Sequence, residues 1–355
     1  MTFRSYFILS WFGCISKAFW PSFPSKIATK LNSRSILDFE NRVTHNYQPL
    51  DENESSEEVE AETEEILGFS FSPGGLLFPY HLGVLNVLAK NLYITNATPL
   101  AGSSAGAIAV AALAAGIDLD EALDACIRIS HRCKELGGAR GKLHFLLVEE
   151  MNALLPDDVD LRLNQRTGMT VLAHREIFPR NRPVFRCNFD SKEDVIEAVW
   201  SSCMFPFFLT NLPFGIQRPH KKKPSSTKTV ELIKKNATQK HEKRLKLKLR
   251  IPRLVVDGYF SVPRERFGCP EFPPSCNVTR TIMVSCFPHN VVGMVPSHER
   301  DQISPIIDQL NWTSYAQELF IKATQPSTPE SHLEIYELGK SDALRWIEQE
   351  KELSD

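Results

Sequence analysis

The sequence predicts an α/β domain, three layers deep with a mainly parallel central sheet and helices on either side, and three observations lead there. The 355 residues are 42% apolar, 24% charged and 10% aromatic, a globular composition with enough chain for one large domain plus appendages. Two strand, glycine-turn and helix units follow one another about thirty residues apart, the signature of parallel strands joined by crossover helices. Further apolar strands lie downstream, at Val255-Val256 and from Thr281 to Ser285. Wholly disordered and collagen-like chains are excluded.

Taken from the N-terminus, residues 1–18 read as a signal peptide, with Arg4 ahead of an apolar run from Tyr6 to Ile15 that is too short to span a bilayer. Residues 19–50, opening on Phe19-Trp20-Pro21 and carrying Lys26, Lys30, Arg34 and several serines, read as a transit presequence. Together they resemble the bipartite plastid presequences of algae with complex plastids, with Lys17 standing where that pattern prefers a small residue. A plain secretory signal, a mitochondrial presequence and a buried helix are the alternatives, and cytoplasmic residence at a membrane surface goes with the last. Five N-x-[ST] sequons, at Asn53, Asn96, Asn236, Asn277 and Asn311, matter only for a chain in the secretory lumen. Residues 51–65 hold nine acidic residues and no basic one, a composition too polar to offset its ordering entropy, so the segment reads as a solvated linker. The folded domain is expected from residue 66 to residue 355.

The first unit is the apolar run Ile66 to Phe71, the turn Ser72-Pro73-Gly74-Gly75, and a helix from Leu76 to Asn91 with Leu77, His81, Val84, Leu85 and Leu88 at helical spacing. The second is Thr98 to Ala101, the turn Gly102-Ser103-Ser104-Ala105-Gly106, and an Ala-rich helix stopped by Gly116. Gly102-x-Ser104-x-Gly106 matches the nucleophile elbow, in which a strained strand-to-helix turn exposes a serine hydroxyl and glycines relieve the crowding around it. Ser104 is the candidate nucleophile, against the blander reading of a flexible Gly-Ser turn. Gly74 and Gly75 offer amide donors at a helix start, suited to an oxyanion, to a phosphate or to a structural turn alone. Asp257, in Val255-Val256-Asp257-Gly258, puts a carboxylate at the end of an apolar strand; seen alone it is an ordinary turn residue.

Between these motifs, Asp118-x-x-Glu121 opens a helix to about Leu136 that is closed by Gly137-Gly138, and Ser191-x-x-Asp194 opens another with Val195, Val199 and Cys203 along a buried stripe. The apolar cluster from Met204 to Leu209 suits an acyl-chain channel, with core packing as the plainer role. The eight cysteines show no CxxC pair or zinc-site spacing and read as reduced core residues. Neither a metal nor an organic cofactor is indicated.

The total charge of −2 hides a segregation. Residues 218–250 carry thirteen Lys or Arg against Glu231 and Glu242, an excess of 11 positive charges that leaves −13 on the remainder. This insert separates the Met204 to Leu209 cluster from Asp257. It is expected to be a surface excursion, its end alternating as a half-exposed strand from Lys243 to Arg250. Docking on an anionic membrane or lipid-droplet surface and simple solvation are the two readings. Nucleic acid is disfavoured, since the block has no aromatic residue on which bases would stack. Residues 311–355 are expected to form a helical extension.

The glycine turn, the G-x-S-x-G elbow about thirty residues on, Tyr80-His81-Leu82-Gly83-Val84-Leu85 between them, and Val256-Asp257-Gly258-Tyr259-Phe260-Ser261 well downstream together resemble the patatin-like phospholipases. The resemblance runs from about Ile66 to Phe287 and implies the three-layer patatin-like fold. It also implies acyl-ester hydrolysis of glycerolipids (phospholipids, galactolipids or triacylglycerols) by a Ser-Asp dyad. In that scheme Ser104 attacks, Asp257 takes its proton, and the amides of Gly74, Gly75 and Ala105 hold the oxyanion. Pro73 departs from the pattern, standing where the family often has another glycine donor. So do Leu76, Leu77 and Phe78, where the family often has a basic residue. Two rival readings remain: a Ser-Asp-His α/β-hydrolase using His289 or His298, and a non-catalytic lipid-binding protein of the same fold.

Overall fold

The computed structural model describes residues 65–217, 251–306 and 312–352. The signal and transit segments, most of the acidic linker and the whole basic insert lie outside the described residues. Among the described residues an eight-stranded sheet forms, in the order β5-β6-β3-β2-β1-β7-β8 with β4 paired to β3. In chain order the strands are β1 Leu67–Phe71, β2 Leu100–Gly102, β3 Thr170–Phe178, β4 Arg182–Arg186, β5 Gly215–Gln217, β6 Arg253–Val256, β7 Arg280–Val284 and β8 Gln302–Ile303. The β1, β2, β3, β7 and β8 strands are mutually parallel, β4 and β6 each pair antiparallel with β3, and β5 pairs antiparallel with β6.

Near-continuous burial along β1, β2 and β7 requires cover on both faces, as parallel sheets do. On one face Phe69, Phe71, Leu100, Leu172, Ile282 and Val284 join the main core beneath the long helices. Helix α1 (Phe78–Lys90) is buried over most of its length and packs along α9 (Pro329–Glu352), whose Trp346 meets Phe69 edge to face. On the other face Ser70 donates to the Pro270 carbonyl, and Met283 packs with Cys269 and Met294. That third layer comes from the chain between β6 and β8, where helices are limited to 3₁₀ turns and the four-residue α7 (His289–Val292).

Side-chain caps start two of the other helices. The Asp118 carboxylate takes the amides of Asp120 and Glu121 to start α3 (Leu119–Glu135), and Ser191 caps α6 (Lys192–Ser202). Between them lie α4 (Leu143–Leu154) and α5 (Val159–Gln165). Helix α2 (Ala105–Ala114) contains only Ala, Gly, Ile, Val and Leu, small enough to lie close on the sheet. The C-terminal helices are α8 (Trp312–Thr324) and α9. Arg280 on β7 ties α9 to the sheet, bonding Asp301 at 2.6 Å and both Glu350 oxygens at 2.6 and 2.8 Å. No helix among the described residues is long and apolar enough to cross a membrane.

One topological detail positions the site. The β4 strand occupies one edge of β3 from Leu172 to Glu176, so β6, which pairs with β3 from Arg175 to Phe178, must take the opposite edge. That edge is already used by β2 from Thr170 to Leu172. The two strands therefore share one lane and run toward each other. Their ends stop opposite Leu172 and Arg175, and the chain after each turns out of the gap between.

Candidate active site

The residues leaving that gap are Ser103-Ser104 from β2 and Asp257 from β6. Ser104 has φ 53° and ψ −122°, a region costly for any residue with a Cβ, which is the strain an elbow imposes. Its glycines are set by space. A Cβ on Gly102 would collide with the Gly106 carbonyl, and one on Gly106 with the Phe71 carbonyl, so neither position accepts a side chain while α2 sits this close to β1. Ser103 donates to the Gly268 carbonyl, which turns its hydroxyl away and leaves Ser104 as the serine facing Asp257.

The end of α6 holds both halves of the pair. Ser202 Oγ accepts the Ser104 amide at 2.9 Å and donates in turn to the Ala173 carbonyl, while the Met204 carbonyl accepts the Asp257 amide at 2.9 Å. Asp257 is fully buried. Its Oδ1 takes the Tyr259 amide at 2.8 Å, and its Oδ2 is buried without a hydrogen-bond partner. The Ser104 hydroxyl is near enough to favour the carboxylate, but falls short of ordinary hydrogen-bond geometry to it. Burial outweighs the Tyr259 amide and the Ser104 hydroxyl and lifts the Asp257 pKa to about 7. Cys203, between Ser202 and Met204, is a buried thiol whose pKa burial raises far above the usual range, with the Asp257 charge adding to it.

The glycine turn closes the third side. Gly74 lies against Ala105, with Cys286 Sγ on its flank, so the two helix starts converge. Gly75 has φ +56°, and a Cβ there would strike the carbonyl of Ala323 at the end of α8. The amides of Gly74, Gly75 and Ala105 donate to no other group among the described residues, and Ala105 opens α2, where the helix dipole favours negative charge. Beneath the turn, His81 is fully buried with Nε2 at 2.8 Å from the Ser72 carbonyl, and burial lowers its pKa to about 4, so it is a neutral donor. Pro73 gives no amide. Its ring packs on Gly268, and its carbonyl takes the Cys286 thiol at 3.6 Å.

Ser104, Asp257, Gly74, Gly75, Ala105, Gly102 and Gly106 are thus brought together. His289 and His298 are not among their contacts. His289 Nδ1 faces Ser304 Oγ at 3.3 Å, and the His298 amide is held by Asp301. The apolar cluster divides: Met204 and Leu209 are core, Phe205 and Phe208 are half-buried, and Phe207 is 36% exposed. Ser202 and Cys286 are site neighbours that the motifs did not single out, and His81 stands in the helix motif, which by itself gives it no part in the site. Each comes from a separate element, and only the fold assembles them.

The patatin-like phospholipase family model matches residues 69–267, more than half of the chain. The chain belongs to this family. Among curated proteins it is similar to patatin-like phospholipase domain-containing protein 2 of Mus musculus, 31% identical over 156 residues that cover 42% of this chain and 31% of that protein. The Homo sapiens protein of the same name is 28% identical over 162 residues, 43% of this chain and 31% of its own length. The matched stretch therefore spans about a third of these relatives. The patatin-like match takes in the elbow, the glycine turn and Asp257. It ends before β7, so Arg280, α8 and α9 lie beyond it.

Proposed function

We propose that the chain is a serine acyl hydrolase acting on glycerolipids through Ser104 and Asp257. The observation that supports this is the shared lane of β2 and β6, whose ends lead into Ser104 and the buried Asp257 from either side of a gap only two β3 residues long, with Asp257 Oδ2 left without a hydrogen-bond partner. In the first step Ser104 Oγ bonds to the ester carbonyl carbon as its proton passes to Asp257, and the carbonyl oxygen takes up negative charge facing the amides of Gly74, Gly75 and Ala105. Collapse breaks the carbon–oxygen bond to the alcohol, which leaves with the proton from Asp257. Water then attacks acyl-Ser104 with Asp257 as base, releasing the fatty acid and restoring the serine. A carboxylate with pKa about 7 suits both directions of proton transfer near neutrality.

The contacts of His289 and His298 give no support to a Ser-Asp-His triad. The lipid class is tested by incubating the full chain with phospholipid, galactolipid and triacylglycerol and measuring fatty acid released. Release by the wild type that Ser104→Ala abolishes is expected. A wild type that binds the lipids and releases no fatty acid would instead favour a non-catalytic lipid-binding protein.

A further inference from the structure

A cleft of about 450 Å³ opens between the chain that leads into β2, the end of α2 and the end of α5. Helix α2 starts at the elbow and ends at this cleft ten residues later, about 15 Å along its axis. The cleft is therefore separate from Ser104 and Asp257. Its buried lining is apolar, from Ile94 and Ala115 with the half-buried Leu113, and the exposed Asn96 and Gln165 bring side-chain amides.

Two guanidiniums complete the lining, and among the described residues no carboxylate belongs to it. The two cations differ in what neutralises them. Arg162 pairs with Asp158, its Nε 2.9 Å from Oδ1, and its Nη1 donates to the Ala115 carbonyl at 2.9 Å. Arg166 donates only to neutral groups. Its Nη2 bonds the carbonyls of Thr95 and Thr98 at 3.1 and 2.9 Å, and its Nε is buried without a partner. Burial lowers its pKa from the usual arginine value, and no nearby acid offsets the shift. A half-buried cation without a counter-charge is unfavourable on its own, and an anion placed beside it removes the penalty.

We infer that this cleft binds a small amphipathic anion, a phosphate monoester or a carboxylate, with its charge on Arg166 and its short apolar part against Ile94 and Leu113. Apolar walls with a few convergent polar groups, in a space of this size, are the common make-up of a small-molecule site. A guanidinium suits either kind of oxyanion through charge-assisted hydrogen bonds, and the amides of Asn96 and Gln165 are further donors at the rim. The inference stands apart from the acyl-hydrolase reading and survives its failure.

Hexyl phosphate, hexanoate and the neutral hexanol are titrated calorimetrically into the full chain and into its Arg166→Met and Gln165→Glu variants. At least one of the two anions is expected to bind saturably while hexanol does not, and the tighter anion names the oxyanion class. Arg166→Met should weaken that binding about tenfold or more, and Gln165→Glu, which adds a like charge at the rim, about fivefold. Gln165 is exposed and distant from the Thr95 and Thr98 bonds that Arg166 makes, so Gln165→Glu carries the test if Arg166→Met fails to fold. Binding of neither anion, hexanol binding as tightly as they do, or an affinity unchanged in Gln165→Glu or in a folded Arg166→Met overturns the site.

Discussion

The Ser202 hydroxyl accepts the amide hydrogen of Ser104 at 2.9 Å, fixing the backbone of a strained serine from a helix ninety-eight residues away in sequence. It also donates to the Ala173 carbonyl, so one hydroxyl satisfies two buried backbone groups. Ser202→Ala leaves both unpaired. A loss of about 1–3 kcal/mol in chemical denaturation is expected. With the serine no longer held in place, esterase activity should fall about 100-fold. Full activity in Ser202→Ala would mean that the elbow positions itself.

In the proposed mechanism Asp257 sets the pH dependence. As base it has to be ionised to take the Ser104 proton, so with a pKa of about 7 activity is expected to rise with pH, reach half its plateau near pH 7 and be lost in acid. A profile flat from pH 5 to 8 would exclude Asp257 as the base.

The same shift acts on stability with the opposite preference. The folded state binds this proton more tightly than the unfolded chain, so its contribution is present below about pH 4 and disappears as pH climbs through about 7. Asp257→Asn keeps an acceptor for the Tyr259 amide and removes the buried charge. It should stabilise the protein at pH 8, by at most about 4 kcal/mol, and change little at pH 4. Thermal melts at the two pH values check this.

Arg280 is the test of the C-terminal helices. Its guanidinium is 7% exposed, between Asp301 at 1% and Glu350 at 13%. Arg280→Ala strands a buried carboxylate and should cost about 3–5 kcal/mol in urea unfolding. The α9 helix braces α1, which begins at the glycine turn, so activity should fall as well.

The basic insert is proposed to dock the enzyme on anionic lipid, with each cation near such a surface adding about 1 kcal/mol. The full chain should sediment with liposomes containing phosphatidylserine and be released by salt, and deletion of residues 218–250 should abolish this. Binding unaffected by salt or deletion removes the proposal.

Much of this site was legible in the sequence, because its chemistry depends on local motifs. An elbow requires glycines two residues on either side of its serine, and the collisions at Gly102 and Gly106 are the physical form of that rule. Asp118 and Ser191 marked helix starts because an amide at a helix end needs a nearby acceptor. Illegible were the contacts made between distant elements. Nothing local says that β6 runs antiparallel into the lane of β2, or that Ser202 reaches Ser104. Ring contacts were hidden for the same reason: Phe205 stood within a recognised apolar cluster, but only the fold stacks it on Phe260 and sets Phe260 against Tyr259.

The most direct measurement is covalent labelling by a fluorophosphonate, read by mass spectrometry of the modified peptide. The account predicts an adduct on Ser104 in the wild type, none in Ser104→Ala, and labelling slowed by several orders of magnitude in Asp257→Asn. An adduct that forms as fast in Asp257→Asn as in the wild type, or on a different residue, would contradict it.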